Sequence, residues 1–79
     1  MKVKLNNVRR IAIISEHIRL DALLKYAAAV QTGGEAKAVI QDGGVYVDGE
    51  VCTQRGKKIH PGSVVRYGDE AYVVRGIDN

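Results

Sequence analysis

Residues 17–49 read HIRLDALLKYAAAVQTGGEAKAVIQDGGVYVDG, a short helix, a glycine-bearing turn, a second short helix and a tight β-turn. Leu20, Leu23, Leu24 and Ala27 recur at i, i+3, i+4 and i+7 and so share one apolar stripe of the first helix. Thr32-Gly33-Gly34-Glu35 has the spacing of a capping box. The Thr32 hydroxyl is expected to accept an early helical N–H, and Glu35 to reach back to the N–H of Thr32. Ala36, Val39 and Ile40 form a second stripe, and Gly43 stands where a left-handed residue ends a helix. Two apolar stripes joined by so few residues can meet as a helix pair, which leaves Arg19, Lys25 and Lys37 facing water.

The chain has 79 residues, enough for a single domain (1–79) near the lower limit for one core without staples. It contains no Trp or Phe, so Val, Ile, Leu and Ala must fill that core. One cysteine excludes an internal disulfide framework and falls far short of a zinc site. With neither a signal-peptide pattern nor a long apolar run, a cytoplasmic location is expected. The net charge of +3 favours an anionic partner without requiring one, so the placement of charge matters more than its sum.

Outward from the helices, Val3 and Leu5 alternate with Lys2 and Lys4 as in an edge strand, and Asn6-Asn7 signals a turn. Ile11–Ile14 is wholly apolar and is expected to be a strand buried on both faces. Arg9-Arg10 is either a solvated pair or an auxiliary anion contact. His17 is read as a surface or capping residue. Arg19 meets the unfavourable end of the helix dipole, so it is either tied to Asp21 or offered to a phosphate, which guanidinium binds bidentately. Gly33-Gly34 stands just ahead of the second helix, either as an ordinary turn or as an open approach, free of Cβ atoms, to an anion site formed by the free N–H groups of that helix. Lys37 lies within one turn of it.

Val45-Tyr46-Val47 is a strand leading into Asp48-Gly49, a type I′ hairpin signal, with Glu50 and Val51 on the return. Cys52 reads as a small half-buried hydrophobe. Arg55, Lys57, Lys58 and Arg66 follow with no acid between Cys52 and Tyr67. Such a run is either a solvated loop or a wrap for a phosphate backbone. Pro61-Gly62 marks a type II turn. Val64-Val65 and Ala71–Val74 form two more strands around Gly68-Asp69-Glu70, and the tail from Arg75 is expected to fray.

Arg19-Leu20-Asp21, Leu24, Gly34-Glu35-Ala36, Ile40, Gly43, Val45, Val47, Gly49 and Pro61-Gly62 together resemble the RNA-binding domain named after ribosomal protein S-four, the αL motif. The nearest likeness is to its small stand-alone bacterial branch, where a GGEAK-like turn and an RRGRK-like loop recur. Here these are Gly33–Lys37 and Arg55–Lys58, and the likeness covers about residues 18–65. It implies an α+β fold, two short helices packed on a small, mostly antiparallel β-sheet. It also implies binding of structured RNA through Arg19, Thr32, Gly33, Gly34, Lys37, Arg55, Lys57 and Lys58. Many members carry Ser-Arg where this chain has Gly33-Gly34, so a principal RNA-contacting arginine is missing. Asp48 stands for the usual Asn, and Ser63 for the usual Asp after Pro-Gly.

The expected function is non-enzymatic recognition of structured RNA, ribosomal or transfer, with the ribosome as a candidate partner, by a monomer that uses no cofactor, metal or small-molecule substrate and no membrane. A-form RNA has a narrow major groove, so side chains read mainly its shape and phosphates. Tyr26 is the aromatic expected nearest that face. A protein-interaction adaptor that keeps the fold with weakened RNA binding is the alternative. A membrane-surface role lacks a long basic amphipathic helix. A Cys52–His60 nucleophile–base pair lacks an orienting carboxylate and a deep pocket.

Overall fold

The computed structural model describes residues 7–77; the strand expected at Val3 and Leu5, and Asn6 of the expected turn, lie outside them. In chain order the elements are β1 (Asn7–Ile13), β2 (Ile18–Arg19), α1 (Leu20–Tyr26), α2 (Gly33–Gln41), β3 (Val45–Val47), β4 (Glu50–Val51), β5 (Lys58–Ile59), β6 (Val64–Tyr67) and β7 (Glu70–Gly76). The five-stranded sheet has the order β1-β7-β6-β3-β4, and β2 pairs with β5 in a separate two-stranded ribbon. All pairings are antiparallel except β1 with β7, which is parallel. The fold class is therefore the one implied by the resemblance, α+β with a mostly antiparallel sheet.

The helix stripes are the core. Leu20, Leu23, Leu24, Ala27, Ala36 and Ile40 are fully buried and pack with Val45, Val65, Tyr72 and Val74 of the sheet. Each buried Leu or Ile contributes roughly 1.5–3 kcal/mol relative to exposure. Along β3, Val45 and Val47 face this core and Tyr46 faces outward, the period of two that a half-wet sheet requires. Asp48 (φ 51°) and Gly49 (φ 89°) turn the β3–β4 hairpin with both central residues left-handed, as type I′ demands. The Asp48 carboxylate accepts from the Val64 N–H at 2.9 Å and from the Ser63 hydroxyl at 3.1 Å. The two milder departures from the family pattern are thus hydrogen-bonded to each other. At Pro61-Gly62, Gly62 has φ 100° and the Ser63 N–H closes the turn on the His60 carbonyl.

Four expectations need correction. Asn7 is not in a turn; it opens β1 opposite Glu70. Ile11–Ile14 is not buried on both faces: Ile11 and Ile13 are buried, Ala12 is exposed and Ile14 is 85% exposed. β1 is a sheet edge covered on one side only, so its outward positions meet water. The tail does not fray at Arg75, because β7 continues through Gly76 against Ala12 and Ile13, and the Ile77 N–H bonds the Ile13 carbonyl at 3.0 Å. The Glu35 carboxylate does not reach back to the Thr32 N–H; it accepts from the Gln31 N–H at 2.9 Å, while Thr32 Oγ1 caps the Glu35 N–H at 3.0 Å as expected.

The choice left open for Arg9-Arg10 is resolved for Arg9. Its guanidinium donates to the Ala27 carbonyl at 2.7 Å and lies 5.8 Å from the centre of the Tyr72 ring. A cation at a helix C-terminus complements the dipole and satisfies an orphan carbonyl. Tyr72 in turn donates to Glu70, and burial pushes its hydroxyl pKa well above the ordinary range. α1 ends in a Schellman arrangement, Ala28 N–H to Lys25 O and Ala29 N–H to Leu24 O, with Ala28 left-handed at φ 60°.

A Cβ in that left-handed conformation costs about 1 kcal/mol, and Ala28 is exposed. Ala28→Gly should therefore raise the thermal midpoint by a few degrees, since about 1 kcal/mol corresponds to roughly 4–8 °C at this chain length. Thermal unfolding followed by circular dichroism measures it, and an unchanged or lower midpoint would contradict the cap assignment.

Candidate nucleic-acid interface

α1 starts without help from its own sequence. Its N-cap, Arg19, is extended and makes no side-chain capping bond. The first N–H groups of a helix need acceptors, and the basic loop supplies them. The Leu20 N–H bonds the Lys57 carbonyl at 2.9 Å, and the Asp21 N–H bonds the Arg55 carbonyl at 3.0 Å. The β2–β5 ribbon then sets Arg19 opposite Lys58. The loop's carbonyls are thereby turned toward the helix, and the side chains of Arg55, Lys57 and Lys58 are exposed.

Arg19 is tied to Asp21, the first of its two alternative readings, and remains accessible. Its Nε and Nη2 donate to the two Asp21 carboxylate oxygens at 3.2 and 3.0 Å, and its side chain stays 55% exposed. An exposed pair of this kind adds under about 1 kcal/mol of stability, so its main effect is to hold the guanidinium at the rim. Asp21 also sits in the first helical turn, where a carboxylate suits the dipole.

Arg19, Asp21, Ala22, Lys25, Gly33 and Arg55 line one shallow open depression. This brings the loop, the α1 N-terminus and the α2 N-terminus to the same place. Gly33 and Gly34 form the first turn of α2 rather than a turn ahead of it. A Cβ at Gly33 would meet nothing within 4 Å, and one at Gly34 only Thr32 Oγ1 at 4.0 Å, so this backbone is open to an incoming group. Lys37 lies four residues after Gly33, on the same face of α2, and is exposed. The nearby carboxylates, Asp21 and Glu35, already hold Arg19 and the Gln31 N–H.

Tyr26, expected near this face, lies elsewhere, and so does Arg66 of the acid-free run. Arg66 projects from the sheet, with its guanidinium carbon 5.2 Å from the centre of the Tyr46 ring. Tyr26, 66% exposed, lines a different and largely apolar depression with Ile13, Ile14, Ile18 and Ile77. The residue that sequence reasoning missed is Lys25, which shares the basic depression. Its position five residues after Leu20 and one before Tyr26, off the apolar stripe, was the available signal. Cys52 and His60 have separate neighbours: the Cys52 thiol points to the Gln54 carbonyl, whereas His60 contacts the Glu16 carbonyl and the His17 ring. Among the described residues no group of three or more His, Cys, Asp or Glu side chains could hold a metal ion, and no helix is long and apolar enough to cross a membrane.

The S4 domain family model matches residues 11–75. The chain belongs to the S4 domain family. This match extends beyond residues 18–65 at both ends and takes in the last three residues of β1 and nearly all of β7. The chain is also similar to the probable ribosome maturation protein RlbA of Bacillus subtilis (strain 168), 40% identical over 55 residues that cover 70% of this chain and 78% of that protein.

Position 34 accepts a Cβ without steric conflict. Gly34 has ordinary helical backbone and an open Cβ direction, and replacing glycine inside a helix gains up to about 1 kcal/mol. Gly34→Arg should both raise the thermal midpoint and tighten binding of an RNA hairpin severalfold at 150 mM salt, where each added phosphate contact counts. A more stable variant with unchanged affinity would remove the α2 N-terminus from the interface.

Proposed function

We propose that this protein is a non-enzymatic RNA-binding module that docks on structured RNA, ribosomal or transfer, and acts on or near the ribosome in the cytoplasm. The observation that carries the reading is the shared depression of Arg19, Lys25, Gly33 and Arg55; Lys58 stands opposite Arg19 in the β2–β5 ribbon, and Lys37 and Lys57 are exposed. Membership of the S4 domain family and the likeness to a probable ribosome maturation protein support it.

The chemistry is that of phosphate recognition. Arg19 and Arg55 offer planar forks, Lys25, Lys37, Lys57 and Lys58 act as point charges, and Thr32–Gly34 offers a helix N-terminus. No aromatic ring lines the depression, so bases are not stacked there and the helix shape and backbone of A-form RNA are what is read. The site residues proposed are Arg19, Thr32, Gly33, Gly34, Lys37, Arg55, Lys57 and Lys58, with Lys25 added. Thr32 acts through its capping bond to the Glu35 N–H, which fixes the start of α2.

The second reading, a protein-interaction adaptor, draws on the apolar depression around Ile14, Tyr26 and Ile77, each more than half exposed. The two differ in salt dependence. With about five phosphates contacted, log affinity for an RNA hairpin should fall against log salt with a slope of about −4. Arg55→Gln, Lys57→Gln and Lys58→Gln combined should lower that affinity by at least tenfold and flatten the slope by about two to three, with the thermal midpoint unchanged. Filter binding across a salt series measures both. Undiminished affinity in the folded triple variant would refute the loop's role, and salt-insensitive binding would favour the adaptor.

A further inference from the structure

The face of the five-stranded sheet turned away from the helices carries a second, separate pattern of charge. Side chains alternate across a sheet, and the register sets Val8, Ala71, Arg66, Tyr46 and Val51 in one row across all five strands. In the next rows stand Arg10, opposite Val73, and Arg75, opposite Ala12. Arg10, Arg66 and Arg75 are all exposed. No outward strand position holds a carboxylate, because Glu50 and Glu70 occupy the positions that alternate with them, beside Val47 and Tyr67. Among the described residues the only ion pair is Arg19–Asp21, so these three guanidinium groups have no acidic partner there.

The arrangement is more than scattered surface charge. Arg10 and Arg75 flank one open depression together with Pro61, Gly62 and Val73. Arg66 lies over the half-buried Tyr46 ring, and Val8 and Val51 at the two ends of its row are more than half exposed. Arg9 shows the contrast: one residue away and on the core side of β1, it is consumed by the Ala27 carbonyl and the Tyr72 ring. Unpaired like charges on one face repel one another and are relieved by an anion. A flat β-surface with an aromatic ring and arginines suits nucleic acid, since guanidinium groups take phosphates and the ring and guanidinium planes take bases.

We propose that this sheet face is a second RNA-binding surface, which contacts another segment of folded RNA while the helix-and-loop face holds the first. The protein, 21 Å across its thinnest dimension, then bridges two RNA segments. This rests on the RNA-binding reading of the helix face, and the experiment separates the two. A biotinylated RNA hairpin is immobilised, loaded with the full chain, washed, and presented with a fluorescent copy of the same hairpin at low salt. The wild-type protein should capture the second hairpin. The variant Arg10→Gln, Arg66→Gln, Arg75→Gln should load on the first within about twofold yet capture about tenfold less of the second, as loss of three phosphate contacts requires. Arg10→Lys, Arg66→Lys, Arg75→Lys, which keeps the charge, should retain most of the capture, and matching thermal midpoints show that the variants are folded.

Capture undiminished in the Gln variant, or absent in wild-type protein that has loaded, overturns the second surface and leaves the first standing. Failure of the wild-type protein to load at all overturns both. Displacement of the captured hairpin by poly-glutamate more readily than by unlabelled hairpin would assign the face to an acidic protein instead.

Discussion

Two backbone hydrogen bonds, Leu20 N–H to Lys57 O and Asp21 N–H to Arg55 O, are what the candidate interface depends on. α1 has only seven residues and no side-chain N-cap, and so short a helix is not stable on its own sequence. It is held by burial of Leu20, Leu23 and Leu24 and by acceptors borrowed from a loop that arrives more than thirty residues later in the chain. The same bonds order that loop. A stretch rich in Arg and Lys would otherwise sample many conformations, and binding would have to supply the ordering free energy. Here folding supplies it, and the cations face outward from a fixed backbone. Fold stability and electrostatic presentation are therefore coupled through the start of α1.

Much of this was legible in the sequence because the signals were local. The i, i+3, i+4, i+7 spacing identified the buried face of α1 residue for residue, the Thr32 cap and Gly43 bounded α2, and Asp48-Gly49 and Pro61-Gly62 specified their turns. What failed was long-range or two-sided. A run such as Ile11–Ile14 looks the same whether a strand is central or at an edge, and only its pairing with β7 shows that one side is open to water. The β2–β5 ribbon is two residues on each strand, too short for any periodicity. Glu35 had two acceptable donors in reach, the N–H groups of Gln31 and Thr32, and spacing alone could not choose between them.

The site was legible as a set of residues more than as a surface. Arg19, Gly33, Lys37 and Arg55–Lys58 are separated by up to 39 positions in the chain, and charge counting alone does not say which of them meet. The loop-to-helix bonds bring Arg55 to Arg19, and packing of α2 on α1 adds Gly33; Arg66, which the sequence places beside the loop, is turned onto the sheet by strand alternation. Similarly, Arg9 and Arg10 are neighbours that alternation sends to opposite faces, one to cap α1 and the other to solvent. With glycine at position 34 the first turn of α2 presents open backbone, and the cations that line the depression beside it are Arg19, Lys25 and Arg55.

The most direct measurement of the central claim is an amide-resolved NMR titration of the full chain with an RNA hairpin. The amides of Leu20, Asp21, Gly33 and Gly34 and those of residues 55–58 should shift together, at the same hairpin concentration and with one common saturation curve. Saturated binding with those amides unmoved, or with the loop and the helix N-termini responding at different hairpin concentrations, would show that they do not form one docking surface.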